Sequence, residues 1–92
     1  MATTAKQLGE QTLVDLVKAR LPGCQVLDVG RPRAYARLGG VVAWSGFRGK
    51  GQIDRQRLLW DALRQELDDD ELLQIGLILT VTPEQLEALN EE

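Results

Sequence analysis

The run Leu73–Val81 is hemmed in by helical segments on both sides, and this placement restricts the fold more than any other feature of the chain. Within it Ile75, Leu77, Leu79 and Val81 alternate with Gln74, Gly76, Ile78 and Thr80, the two-residue period of a strand. The alternation predicts the first set facing the core and Gln74 facing away from it. Upstream, Leu59, Ala62, Leu63 and Leu67 form the apolar stripe of a helix, with Trp60 alongside. That helix is predicted from Asp54, as N-cap, through Leu67. Asp68-Asp69-Asp70-Glu71 would oppose the macrodipole at its C-terminus, so these acids are expected in a solvated turn. Downstream, Thr82 as N-cap, Pro83 at the first helical position and Gln85 two residues later form a strong helix start. The last helix should run from Pro83 to about Asn90 and pack Leu86 and Leu89.

The first half repeats the mixture. Thr4 and Gln7 fit a capping box, and Leu13, Leu16, Val17 and Leu21 mark one face of a helix that Pro22-Gly23 ends. Cys24–Val29 reads as an edge or half-buried strand, and Gly30-Arg31-Pro32-Arg33 as a turn. A second strand is predicted over Val41–Ser45, after Gly39-Gly40, while Ala34–Leu38 fits strand or loop equally. Gly46–Gly51 carries three glycines in six positions and reads as irregular. The order α-β-β-α-β-α implies an α+β two-layer sandwich, a small three-stranded mixed sheet with helices on one face. At 92 residues the chain is expected to be a single domain, residues 1–92, with one core.

Composition removes whole classes of chemistry. There is no histidine, hence no imidazole base and no Ser–His or Cys–His pair. Cys24 is the only cysteine, so it is a packing residue or, failing that, the one conceivable soft metal ligand. The carboxylates at 68–71 have nothing beside them to split their pKa values, and no phosphate-binding glycine motif follows a strand. The expectation is a non-enzyme with no catalytic residues. No apolar stretch is long enough to span a membrane and the N-terminus lacks a signal-peptide pattern, so a cytoplasmic home is expected.

The net charge of −3 conceals a split. Residues 1–60 hold ten bases against four acids, a net +6, and residues 61–92 hold one base against ten acids, a net −9. Arg31, Arg33, Arg37, Arg48, Lys50, Arg55 and Arg57 are the densest basic stretch, which reads as a positive patch for an anionic partner or as solvated surface.

Phe47-Arg48-Gly49-Lys50, with Arg55-Gln56-Arg57-Leu58 opening a helix, resembles the BolA family, in which Phe-x-Gly-Lys precedes Arg-His-Arg-Leu. Leu73-Gln74-Ile75-Gly76 and Thr82-Pro83-Glu84-Gln85-Leu86 are similar to that family's Ile/Val-His-Ala-Leu strand and Thr-Pro-x-Glu-Trp. The likeness spans roughly Val41 to Leu86. It implies a class II KH-like fold and an adaptor or regulator, iron–sulfur-, redox- or stress-linked, that binds a monothiol glutaredoxin and shares a [2Fe–2S] cluster with it. The departures fall on the ligands. Gln56 replaces the histidine of Arg-His-Arg, Gln74 the strand histidine that the resemblance makes a cluster ligand, and Leu86 the tryptophan. A carboxamide is a poor iron ligand, so the isolated chain is expected to hold no cofactor, with Cys24 the only substitute donor.

The expected partner surface comprises Gly46, Phe47, Arg48, Gly49, Lys50, Arg55, Gln56, Arg57 and Gln74. Gly46-Phe47-Arg48-Gly49 also satisfies the G-x-x-G clamp of KH modules. A nucleic-acid-binding regulator using Gly46–Arg57 is therefore the alternative, in which Phe47 and Trp44 would stack on bases, although aromatic residues at strand ends are more often core and Phe47 reads first as core. A monomer or weak homodimer is expected in either case.

Overall fold

The computed structural model describes residues 8–33 and 36–90. Helix α1 spans Glu10–Arg20, followed by strands β1, Gln25–Gly30, and β2, Leu38–Ala43. A single 3₁₀ turn, Ser45–Phe47, leads into α2, Gln52–Glu66, and the short α3, Asp69–Leu72. Strand β3, Ile75–Val81, and α4, Pro83–Asn90, complete the chain. The expected α+β order holds, with α3 and the 3₁₀ turn added. The capping box assigned to Thr4 and Gln7 lies outside the described residues. Helix α1 begins after Gly9 without a side-chain cap, and Gly23, at φ 85°, ends its turn in the left-handed geometry that glycine tolerates.

The sheet order is β1-β2-β3, with β1–β2 antiparallel and β2–β3 parallel. The parallel pair requires a long crossover, which α2 supplies. Strand β2 starts three residues before the expected Val41, so Gly39-Gly40 lies inside the central strand rather than ahead of it. The reason is space. A Cβ on Gly39 would sit 2.9 Å from the Leu77 carbonyl oxygen, and one on Gly40 would sit 3.1 Å from the Val29 side chain. Both ladders slip at this point, between Leu27 and Gly30 on one side and between Leu38 and Gly40 on the other.

That slip also inverts the expected facing of β3. Leu38 pairs with Ile75, but Gly40 pairs with Ile78, so the strand gains a residue and its phase jumps. Ile78 and Thr80 are buried with Ile75, while Leu77 and Leu79 are 71% and 47% exposed. Leu13 and Val17 of α1, Leu59 and Leu63 of α2, and Val42 and Ile78 of the sheet belong to one buried cluster with Phe47. Helices α1 and α2 thus cover one face, and the rung Leu27–Val41–Leu79 lies on the other. Full burial of a leucine such as Leu63 stabilises the fold by about 1.5–3 kcal/mol.

The acids after α2 are ordered by local chemistry. Helix α2 ends at Glu66, as the macrodipole argument requires, but Asp68–Glu71 is not a plain turn. The Asp68 carboxylate accepts the Glu71 amide and the Glu71 carboxylate accepts the Asp68 amide, a complete capping box opening α3. Acids disfavoured at one helix's end are favoured at the next one's start. Asp54 is likewise not an N-cap: α2 starts at Gln52 behind Gly51, and Asp54 sits in its first turn.

Candidate functional site

The glycine-rich turn is pinned from inside. Phe47 is fully buried and meets the Trp44 ring edge-to-face, with centroids 5.3 Å apart and planes at 88°. The Trp44 indole N–H donates to the Pro22 carbonyl at 2.9 Å. A Cβ on Gly46 would lie 2.5 Å from that indole ring, and Gly49 adopts φ 77°. Both glycines of the G-x-x-G sequence therefore serve packing and turn geometry, and Phe47 is core rather than a stacking platform.

Arg48 and Lys50 stay exposed at the tip. The Arg48 Nε donates to Glu84 of α4 at 3.0 Å, and the second guanidinium nitrogen closes a bidentate pair. That hydrogen bond, the foremost cause, pulls the Glu84 carboxyl down to a pKa of about 2. Arg20 of α1 pairs with Glu66 of α2 through one guanidinium nitrogen. The basic first part and the acidic last part of the chain thus meet across the fold, and the basic patch read from the sequence is partly neutralised.

Arg55, expected on the surface with Arg57, is only 6% exposed. Its guanidinium donates to the Lys50 carbonyl at 2.8 Å, the Thr80 carbonyl at 3.3 Å and Gln85 Oε1 at 2.8 Å. One cation therefore joins the turn before α2, strand β3 and helix α4. Gln85 closes the capping box expected for α4, accepting the Thr82 amide and donating its own amide to Thr82 Oγ1. Replacing Arg55 and Arg57 together, which the sequence presents as a change in surface charge alone, would dismantle this junction.

The two glutamines standing where the resembling family has histidines are both engaged. Gln56 donates to the Ile78 carbonyl at 2.8 Å and to Thr80 Oγ1 at 3.2 Å, and accepts from the Trp60 indole at 3.2 Å. Gln52, one turn earlier, donates to the Thr80 carbonyl and accepts from the Thr80 hydroxyl. Gln74 is not on the outer face of β3 but in the turn before it. Its Oε1 accepts the Leu8 amide at 2.7 Å and Arg31 Nη2 at 3.4 Å, and its Nε2 donates to the Asp70 carbonyl at 3.4 Å. Cys24 is 8% exposed, inside the core, with Sγ 3.9 Å from the Val17 carbonyl. Burial, partly offset by Lys18, pushes its thiol pKa up.

These side chains do not fit an iron–sulfur cluster. The lone thiol faces inward and is kept protonated, and both carboxamides are spent on the chain itself. Among the described residues no three His, Cys, Asp or Glu side chains converge on a point that could hold a metal, and no helix is long and apolar enough to cross a membrane.

The surface that remains available lies along α2. Gln52, Ile53, Gln56, Arg57, Trp60 and Arg64 line an open groove of about 390 Å³. Ile53 is 69% exposed. Among the described residues Arg57 and Lys50 have no carboxylate partner, whereas Arg64 pairs with Asp61. Sequence reasoning singled out Gln56 and Arg57 but missed Ile53, Trp60 and Arg64. Their spacing with Arg57, 53-57-60-64, is the helical signature of a second face beside that of Leu59, Leu63 and Leu67.

No protein-family model matches the sequence, and no curated protein matches it. Solved structures do. A bolA protein homologue from Coxiella burnetii aligns with a TM-score of 0.67 at 22% identity, over 87% of this chain and 97% of its own. A bol-like protein from Babesia bovis gives 0.61 at 24% identity, over 91% and 95%. The BolA domain of SufE1 from Arabidopsis thaliana gives 0.59 at 23% identity, over 85% and 98%. The chain has a BolA-like fold, as the resemblance implied.

Proposed function

We propose that this chain, a BolA-like fold, is a non-enzymatic adaptor that binds a monothiol glutaredoxin and contributes no ligand to any cluster that partner carries. The observation behind the reading is the fold, matched to BolA structures over nearly their whole length. The donor chemistry supports the second half: a buried thiol and two carboxamides committed to internal hydrogen bonds are not iron ligands. The exposed turn at Arg48–Lys50 and the adjoining α2 groove supply the contact surface. Nucleic acid is the weaker reading, since Phe47 is fully buried, the half-buried Trp44 is held by Phe47 and the Pro22 carbonyl, and Arg48 is already paired.

Co-expression with a monothiol glutaredoxin, followed by capture under mild conditions and an absorbance spectrum, tests both parts. The expected result is a complex whose visible absorbance, if any, is unchanged by Cys24→Ser. Failure to capture the glutaredoxin overturns the adaptor reading. Colour that Cys24→Ser bleaches overturns the claim that this chain gives no ligand.

A further inference from the structure

The α2 groove combines two surfaces that water satisfies unequally. Ile53 and the face of Trp60 are apolar, and Ile53 is 69% exposed. Between them along the helix stands Arg57, without a carboxylate partner among the described residues, and Arg64 lies one turn beyond Trp60. The remaining lining groups, Gln52 and Gln56, are held by β3 and cannot turn outward to meet a ligand. Both charged groups in the groove are guanidinium groups. Of the acids on the same helix, Asp54 and Asp61 fall on the groove's flank by the 100° advance per residue, and Asp61 is taken up by Arg64, which leaves Arg57 as the groove's charge for a ligand.

Each half of this chemistry excludes a simpler ligand. A purely apolar partner covering Ile53 and Trp60 would strip water from Arg57 without replacing its hydrogen bonds, which is costly. A bare anion would satisfy Arg57 and leave Ile53 and Trp60 idle. A segment that places an apolar side chain between carboxylates meets both demands, because arginine takes carboxylates bidentately and such anchors carry most of an interface's energy.

We infer that the α2 groove is a docking site for an acidic amphipathic helix of a partner protein, an apolar anchor seated against Ile53 and Trp60 and a carboxylate on Arg57. This deepens the adaptor reading and rests on it for the partner being a protein.

The probes are a fluorescein-labelled synthetic helical peptide with leucine on one stripe and glutamate flanking it, its twin with lysine for every glutamate, and a labelled single-stranded oligonucleotide. Anisotropy titrations at low salt should show the glutamate peptide binding and the lysine twin at least tenfold weaker. Ile53→Asp and Arg57→Glu should each weaken the glutamate peptide at least tenfold, and Arg57→Glu should gain affinity for the lysine twin. Both side chains are exposed, and an acid at position 53 suits the start of a helix, so circular dichroism should be unchanged. Arg57→Lys, retaining the charge, should stay within a few-fold. Equal binding of the two peptides, no binding of the glutamate peptide at millimolar concentration, indifference to both substitutions, or tighter binding of the oligonucleotide each overturns the inference. The same variants assayed against a monothiol glutaredoxin separate the two claims. Peptide binding without glutaredoxin capture sinks the adaptor reading alone, and glutaredoxin capture without peptide binding sinks the groove alone.

Discussion

Replacing Arg55 by methionine is expected to destabilise the fold by about 3 kcal/mol. Methionine keeps most of the unbranched stem, so packing against the core changes little and the loss falls on the guanidinium. Hydrogen bonds from charged donors contribute about 1.5–3 kcal/mol each at most. Here two of the three acceptors keep a second donor: Gln52 still reaches the Thr80 carbonyl, and the Thr82 amide still reaches Gln85 Oε1. Only the Lys50 carbonyl loses its side-chain donor outright. The total therefore lies near the cost of one full and two partial bonds. Buried ion pairs can often be replaced by apolar residues without loss, but Arg55 has no buried counter-charge; its acceptors are carbonyls, and removal leaves that of Lys50 without its side-chain donor. With a urea slope of about 1 kcal/mol per molar for a domain this small, the midpoint should fall by about 3 M. Arg55→Lys should recover part of this. Amide exchange at Leu86, whose N–H bonds the Thr82 carbonyl, should quicken more than exchange within α1, because α4 loses its tie to α2. A loss under about 1 kcal/mol, or equal acceleration in both helices, would refute the account of Arg55 as a junction.

Leu63→Ala, at a fully buried site, should cost about 2–5 kcal/mol in denaturant melts. Gly46→Ala should cost about 1–3 kcal/mol by overpacking against Trp44, read as a lower Tm, whereas Gly51→Ala, with open space around it, should be close to neutral. The Glu84 carboxyl, lowered from 4.5 to about 2 in the fold, contributes stability that is present above pH 4.5 and is lost as pH falls toward 2; NMR titration should place its midpoint near 2, and Glu84→Gln should flatten the acid limb. Gln74→His should release the Leu8 amide and cost about 1–2 kcal/mol rather than present a free imidazole, measured by the same melts.

The element order, the ends of α1 and α2 and the Thr82–Gln85 cap were legible because each depends on residues close in sequence. The facing of β3 was not. Ile75, Leu77, Leu79 and Val81 are the more apolar set, yet Thr80 goes inside because Gln52 and Gln56, more than twenty residues away, satisfy its hydroxyl. The one-residue slip opposite Gly39-Gly40 is set by close backbone approach, which no alternation pattern records. The site was half legible for the same reason. Arg55 and Arg57 look equivalent in the sequence, but two steps on a helix turn one into the core and the other outward. Asp68-x-x-Glu71 did carry its capping signal, overlooked because four acids in a row read first as charge.

The outer margin of β3 is closed by side chains from another element. Gln56 occupies the Ile78 carbonyl, while Gln52 and Arg55 share that of Thr80, and these are the groups a newcomer strand would need for pairing. At the opposite margin, β1 is broken by Asp28 at φ 53° where its ladder slips, which bends that edge away from regular pairing. The sheet is consequently a poor template for strand addition from either side. Its resistance to runaway edge-to-edge growth comes from two glutamines and an arginine in the first turns of α2, so fraying there would expose a pairing edge while Leu59 and Leu63 further along still held the core, and variants that loosen those turns should aggregate ahead of unfolding.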